Sequence, residues 1–140
     1  MSPQPTNNGD SKSASLRRIL NLTSVLLGFE AAGILAFLIW GLAQGQFRLF
    51  SADLTLIVLF LMAAIWIGFA AWKIRGGARW ARSSAIFWQA AQLLLGYDSV
   101  TGRGANWFIG GTLAVSGVLV LALLFSKPVI AAAREEIGGR

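Results

Sequence analysis

Cysteine and histidine are both missing from these 140 residues. Their absence excludes disulfides, thiolate chemistry, c-type haem attachment, histidine-ligated haem and the usual zinc sites. Acidic residues are scarce too: six Asp and Glu, scattered rather than clustered, so no carboxylate metal site and no cofactor is expected. With no His base and no Cys, and with Ser residues that lack a Lys or acid at nucleophile spacing, no catalytic constellation forms. The Gly-rich segments do not follow a strand as phosphate loops do. The sequence therefore reads as that of a non-enzyme. Charge as a whole is thin: 13% of residues are charged, about half the share in a soluble globular domain.

Apolar residues take the space instead, at 56% of the chain. They gather in four stretches, residues 19–43, 54–72, 80–97 and 107–125. A helix rises about 1.5 Å per residue, so about 20 apolar residues cross a hydrocarbon core of about 30 Å. Each stretch is near that length. The expected fold is all-α: a polytopic membrane protein with four transmembrane helices in an antiparallel bundle over residues 16–127. Residues 1–15 hold Pro, Asn, Gly, Ser and Gln with no large apolar residue beyond Met1, and are expected to be a disordered tail. Residues 128–140 form a second tail, in which 129–137 has the composition for two helical turns. At this length there is room for one domain.

Orientation follows from the basic residues. Lys12, Arg17 and Arg18 precede the first stretch, Lys73, Arg75, Arg79 and Arg82 separate the second and third, and Lys127, Arg134 and Arg140 follow the fourth. Only Arg48 and Arg103 fall on the other side. The positive-inside rule puts the ten in the cytoplasm, with both termini inward in a cytoplasmic (inner) membrane. The net charge of +6 is thus a topology signal rather than a sign of nucleic-acid binding. Tryptophans agree with this placement: Trp40 and Trp107 fall near the outer interface, Trp72 and Trp80 near the inner one, and Trp66 and Trp88 deeper. A cleaved signal peptide is a poor fit, because the first stretch exceeds the usual 7–15 apolar residues or so and contains Glu30.

Glu30 is the one ionisable residue deep within a stretch. It stands about 16 Å beyond Ile19 at the helical rise. A charge there must be paired, neutralised or hydrated. Arg82, Ala85, Gln89, Gln92 and Gly96 share one face of the third stretch, and its two glutamines reach the depth of Glu30. A cluster of Glu30, Gln89 and Gln92 follows, either as a structural tie between helices or as a proton or cation site. Two stripes of small residues, Ala64/Gly68/Ala71 and Gly110/Ala114/Gly117, allow close helix approach, within the chain or against a partner. The basic run of Lys73, Arg75, Arg79 and Arg82 is a topology signal and a candidate docking site for anionic lipid or a partner.

The stretch Gly77-Ala-Arg-Trp-Ala-Arg-Ser-Ser-Ala-Ile-Phe-Trp-Gln-Ala-Ala-Gln-Leu-Leu-Leu-Gly, together with an acidic residue in the first span, resembles a family of small four-helix membrane proteins from actinobacteria. Its members tend to open the third helix with Arg-Trp-Ala-Arg and to carry a Gln pair within it. The chain departs from that pattern at Ser84, where Pro is commoner, and near Leu95–Gly96, where a second Pro is often found. The resemblance implies topology and no particular role. The small multidrug exporters are similar in layout only: Gly28-Phe-Glu-Ala-Ala-Gly33 does not match their motif, and a basic bias of ten to two does not suit their dual insertion. The expected role is an accessory or scaffold subunit of a larger inner-membrane complex, in contact with the lipid bilayer, its anionic inner-leaflet lipids and other membrane subunits. The alternatives are a small proton-coupled transporter or channel using Glu30, and a lipid-binding or regulatory membrane protein.

Overall fold

The computed structural model describes residues 8–46, 52–102 and 106–131. Four helices make up nearly all of them: α1 (Asn8–Ala43), α2 (Ala52–Arg75), α3 (Arg79–Thr101) and α4 (Trp107–Leu124). The apolar stretches coincide with helices to within one residue at the end of the fourth, but α1 begins well before its own. Residues 8–15, expected to be disordered, form its first two turns. A helix adds residues cheaply once nucleated, and Lys12, Ala14, Leu16, Arg17 and Arg18 are good helix formers. At 36 residues α1 is about 54 Å long.

Helix ends follow local chemistry. α1 and α2 both close in a Schellman motif, in which a residue of positive φ lets two backbone N–H groups fold back on the last turn. Gly45 (φ 66°) and Gly77 (φ 74°) supply that conformation. Gln46 N donates to Gly41 O at 3.0 Å and Gly45 N to Leu42 O at 3.1 Å. At the end of α2, Ala78 N reaches Lys73 O and Gly77 N reaches Ile74 O. Asp53 stands in the first turn of α2, with Lys73 and Arg75 in its last, each sign matched to the helix dipole. α4 starts at Asn106, whose side-chain oxygen accepts from the backbone N–H groups of Phe108 and Ile109, both at 3.1 Å. Past Phe125 a helical turn resumes over residues 127–131 and buries Val129.

The chain runs up and down. The middle of α1 meets late α2, as Ser24 bonds Ala71 O, and Phe37 further along α1 meets Phe60 earlier in α2. Early α4 meets late α3, where Gly110 faces the Gly96 carbonyl. The α1–α2 and α3–α4 pairs are the extensive ones, α2 on α3 and α4 on α1 are lighter, and α1 and α3 stand across the diagonal. Two hairpins thus lie side by side.

Small residues hold the inside and large ones the outside. The core includes Ala31, Ala64, Ala70, Ala71, Ala81 and Ala85, with Leu27, Ile67, Ile74 and Val120 fully enclosed. Phe29, Phe87 and Phe108 are 73%, 76% and 84% exposed, among many other exposed apolar side chains. That distribution is the reverse of a water-soluble bundle, and contiguous apolar surface on this scale needs a cover. Three helical segments, Ser11–Ala43, Asp53–Arg75 and Trp107–Leu124, are long and apolar enough to cross a membrane. Where the sequence reading counts four spans, α3 does not meet that measure. Arg79, Arg82, Gln89, Gln92 and Asp98 dilute its apolar content.

Candidate functional site

Glu30 sits partway along α1, on the side turned towards the second hairpin, and three N–H donors from α3 converge on its carboxylate. Trp88 Nε1 donates to Oε2 at 3.1 Å and Gln89 Nε2 to the same oxygen at 3.0 Å. Gln92 Nε2 approaches Oε1 at 3.5 Å. The helix repeat explains the convergence. Residues 85, 89, 92 and 96 form one stripe of α3 and are all buried, and 88 stands one turn before 92 on the edge of that stripe. The stripe is small at Ala85 and Gly96 and polar at its middle, so long side chains from α1 can reach it across the diagonal.

The cluster extends into α4. Gln92 Nε2 also lies 3.4 Å from Leu113 O and bonds Ser116 Oγ, which itself reaches Leu113 O at 3.4 Å. Its two hydrogens are shared among three oxygens. Gly117 leaves room for Gln89: a Cβ there would lie 3.4 Å from Gln89 Oε1 and 3.2 Å from Leu93 Cδ2. Three helices are therefore linked through the Glu30 carboxylate and the Gln92 amide. The carbonyl oxygens of both amides, Gln89 Oε1 and Gln92 Oε1, are buried with no hydrogen-bond partner, and so is Thr23 Oγ1, two turns before Glu30 on α1.

A second polar group lies where the middle of α1 meets the end of α2. Ser24 is buried and donates through Oγ to Ala71 O at 2.6 Å, while Arg75 Nε donates to that same Oγ at 2.9 Å. The four basic residues of this turn have separate positions. Arg82 folds back so that one terminal amino group meets Gly77 O at 3.1 Å, bracing the turn between α2 and α3. Lys73 Nζ lies 4.5 Å over the Trp72 ring and 5.5 Å from the centre of Phe69, a cation–π arrangement. Arg79 is exposed at the start of α3, where its carbonyl accepts from Ser83 Oγ. Beside Lys73, Trp80 stacks on Phe69 at 5.5 Å and meets Trp66 at 5.8 Å, giving an aromatic face across α2 and α3.

The candidate site residues named from the sequence now have a place. Glu30, Gln89 and Gln92 come together at bonding distance. The stripe Ala64/Gly68/Ala71 faces α1, since Ala64 and Ala71 are buried and a Cβ on Gly68 would stand 3.9 Å from that of Ala31. Gly110, Ala114 and Gly117 face α3, where a Cβ on Gly96 would lie 3.2 Å from Gly110 O and 3.5 Å from Ala114 N. Both stripes are used within hairpins. Arg48 and Arg103 lie outside the described residues. Sequence reasoning missed Trp88, Ser116 and the Ser24–Arg75 link. The signal for the first was available, because an indole N–H one turn from Gln92 at the depth of Glu30 needs an acceptor. Among the described residues no three of His, Cys, Asp or Glu gather. No family model, no curated protein and no solved structure matches the chain.

Proposed function

We propose that the protein is a non-catalytic integral membrane protein of the inner membrane, an accessory or scaffold subunit of a larger assembly. In this reading all four helices cross the bilayer and both termini face the cytoplasm. α3 crosses because its polar face is turned inward, onto Glu30 and α4, while Phe87 and Leu94 face outward. The observation that carries the reading is the Glu30 carboxylate. It accepts from Trp88, Gln89 and Gln92 of the same chain, as in a tie that fixes helix neighbours. Many exposed apolar side chains remain for lipid and for other subunits.

A second reading has its own support. Gln89 Oε1, Gln92 Oε1 and Thr23 Oγ1 are buried and unpartnered, and buried polar atoms of that kind commonly hold water. A hydrated line past Glu30 is what a small proton or cation conductor needs. Two measurements separate the readings. Pull-down in mild detergent should recover a stoichiometric larger complex, and recovery should survive Glu30→Gln. Purified protein in liposomes should be silent. Glu30-dependent proton or cation flux with no stable partner would replace the first reading by the second. Topology is checked by reporter fusions: Ser15, Gly76 and Gly139 should report cytoplasm, and Gly45 and Gly102 the outside. A periplasmic signal at Gly76 would overturn the four-span arrangement.

A further inference from the structure

The basic residues of the α2–α3 turn are not equivalent, and one of them is held in a way that topology alone does not require. A snorkelling Arg at a span end needs only to keep its charge in water. Arg75 is instead fixed at its inner nitrogen. The Ser24 hydroxyl commits its proton to Ala71 O at 2.6 Å and so presents a lone pair to Arg75 Nε at 2.9 Å. Ser24 is 4% exposed, so the anchor is buried, while Arg75 itself is exposed. No described residue accepts from the two terminal amino groups, which leaves a forked pair of donors in a set orientation. Such a fork matches two oxygens of a phosphate, and its pre-organisation lessens the entropy lost on binding.

We propose that Arg75, positioned by Ser24, binds the phosphate of an anionic phospholipid headgroup. This rests on the membrane reading above. Three observations favour lipid over a soluble phosphate. The fork lies at the end of a helix long and apolar enough to span a bilayer. The exposed rings of Trp72 and Trp80 on the neighbouring face offer apolar surface of the kind that sits at headgroup level. Arg17, two turns before Ser24 on the same stripe of α1, adds a second exposed cation on that side. Basic groups at this level are attracted to anionic leaflets in any case. The inference concerns geometry beyond that attraction.

The test uses full-length protein in nanodiscs or vesicles containing phosphatidylglycerol and phosphatidylcholine, with retained lipid counted by native mass spectrometry. Wild type should retain phosphatidylglycerol preferentially. Arg75→Lys keeps the charge but loses the fork, and should weaken that preference roughly tenfold, the factor for one lost charge-assisted bond. Ser24→Ala leaves net charge unchanged and should weaken it about threefold by freeing the guanidinium. Ser24→Thr should restore it, which separates positioning from misfolding. Lys127→Gln, a charge loss at the same end, should have less effect than Arg75→Gln. Equal retention by wild type, Arg75→Lys and Ser24→Ala would overturn the proposal in favour of plain leaflet electrostatics. Displacement of the lipid by millimolar inorganic phosphate, with equal occupancy, would overturn it in favour of a soluble anion. Failure of the wild type to insert into vesicles would overturn the membrane reading itself, whereas insertion without lipid preference would overturn this inference alone.

Discussion

Within each hairpin, α1 meets α2 and α3 meets α4 through alanine and glycine; across the diagonal, the hairpins meet through a carboxylate, an indole and two amides. The first kind of seam depends on shape. Gly96 and Gly110 let two backbones approach until a Cβ on either would crowd the other's carbonyl oxygen, and dispersion with weak Cα–H···O contacts supplies the attraction. The second depends on pairing. Glu30 reaches α3 although their backbones stand well apart. Shape fails when atoms are added, and pairing fails when a partner is removed. The two seams should therefore break under opposite substitutions.

The largest effect is expected at the α3–α4 seam. A Cβ on Gly110 would stand 2.8 Å from Gly96 O and overlap Val100, and a backbone oxygen cannot move aside as a side-chain tip can. Gly110→Ala should cost about 1–3 kcal/mol by overpacking, read from denaturant titration in detergent. Gly111→Ala, with open space at its Cβ, should fall within about 0.5 kcal/mol of wild type. Similar losses in both would show that general helix effects, not close approach, govern this seam.

Pairing is expected to come next. Glu30→Leu strands Trp88 Nε1 and Gln89 Nε2 and should cost about 2 kcal/mol, near the penalty for buried donors left unmade. Glu30→Gln keeps an acceptor and should lose less than half of that. A double-mutant cycle of Glu30→Leu with Gln89→Leu should give a coupling of about 0.6–2 kcal/mol, the span found for interhelical bonds in membranes. Additivity would remove the diagonal tie from the account.

Gly117→Ala sharpens the comparison because it touches both seams. Its Cβ would meet Leu93 Cδ2 at 3.2 Å and Gln89 Oε1 at 3.4 Å. Both are side-chain ends able to shift by tenths of an ångström, so a loss of about 0.5–1 kcal/mol is expected. Combined with Glu30→Leu the loss should shrink, since Gln89 is then free to turn away. A loss unchanged by Glu30→Leu would mean that Leu93 alone is responsible.

Much of this was readable before any coordinates. Length and hydropathy locate the helices, and the spacing of Gln89 and Gln92 against Glu30 locates the cluster, because depth along parallel helices is simple arithmetic. What could not be read was which face each helix turns to which neighbour. That choice assigns one small stripe to α1 and the other to α3, and it brings Ser24 to Arg75. Trp88 is a different case: an indole in an apolar helix packs well anywhere, but an N–H one turn from Gln92 at the depth of Glu30 needs an acceptor, and that signal was passed over. The early start of α1 also escaped, since a polar composition says little against helix once a long apolar segment has nucleated it.

That early start has a mechanical side. α1 is continuous from Asn8 to Ala43, and its only prolines would have to come from residues 3 and 5, which precede it. Its first turns carry exposed Ser11, Lys12, Ser13 and Ala14, and Glu30 lies further along the same unbroken rod. Successive residues are offset by about 100° around its axis, so one residue inserted between Ser24, which is held on α2, and Glu30 would turn the carboxylate off the α3 stripe.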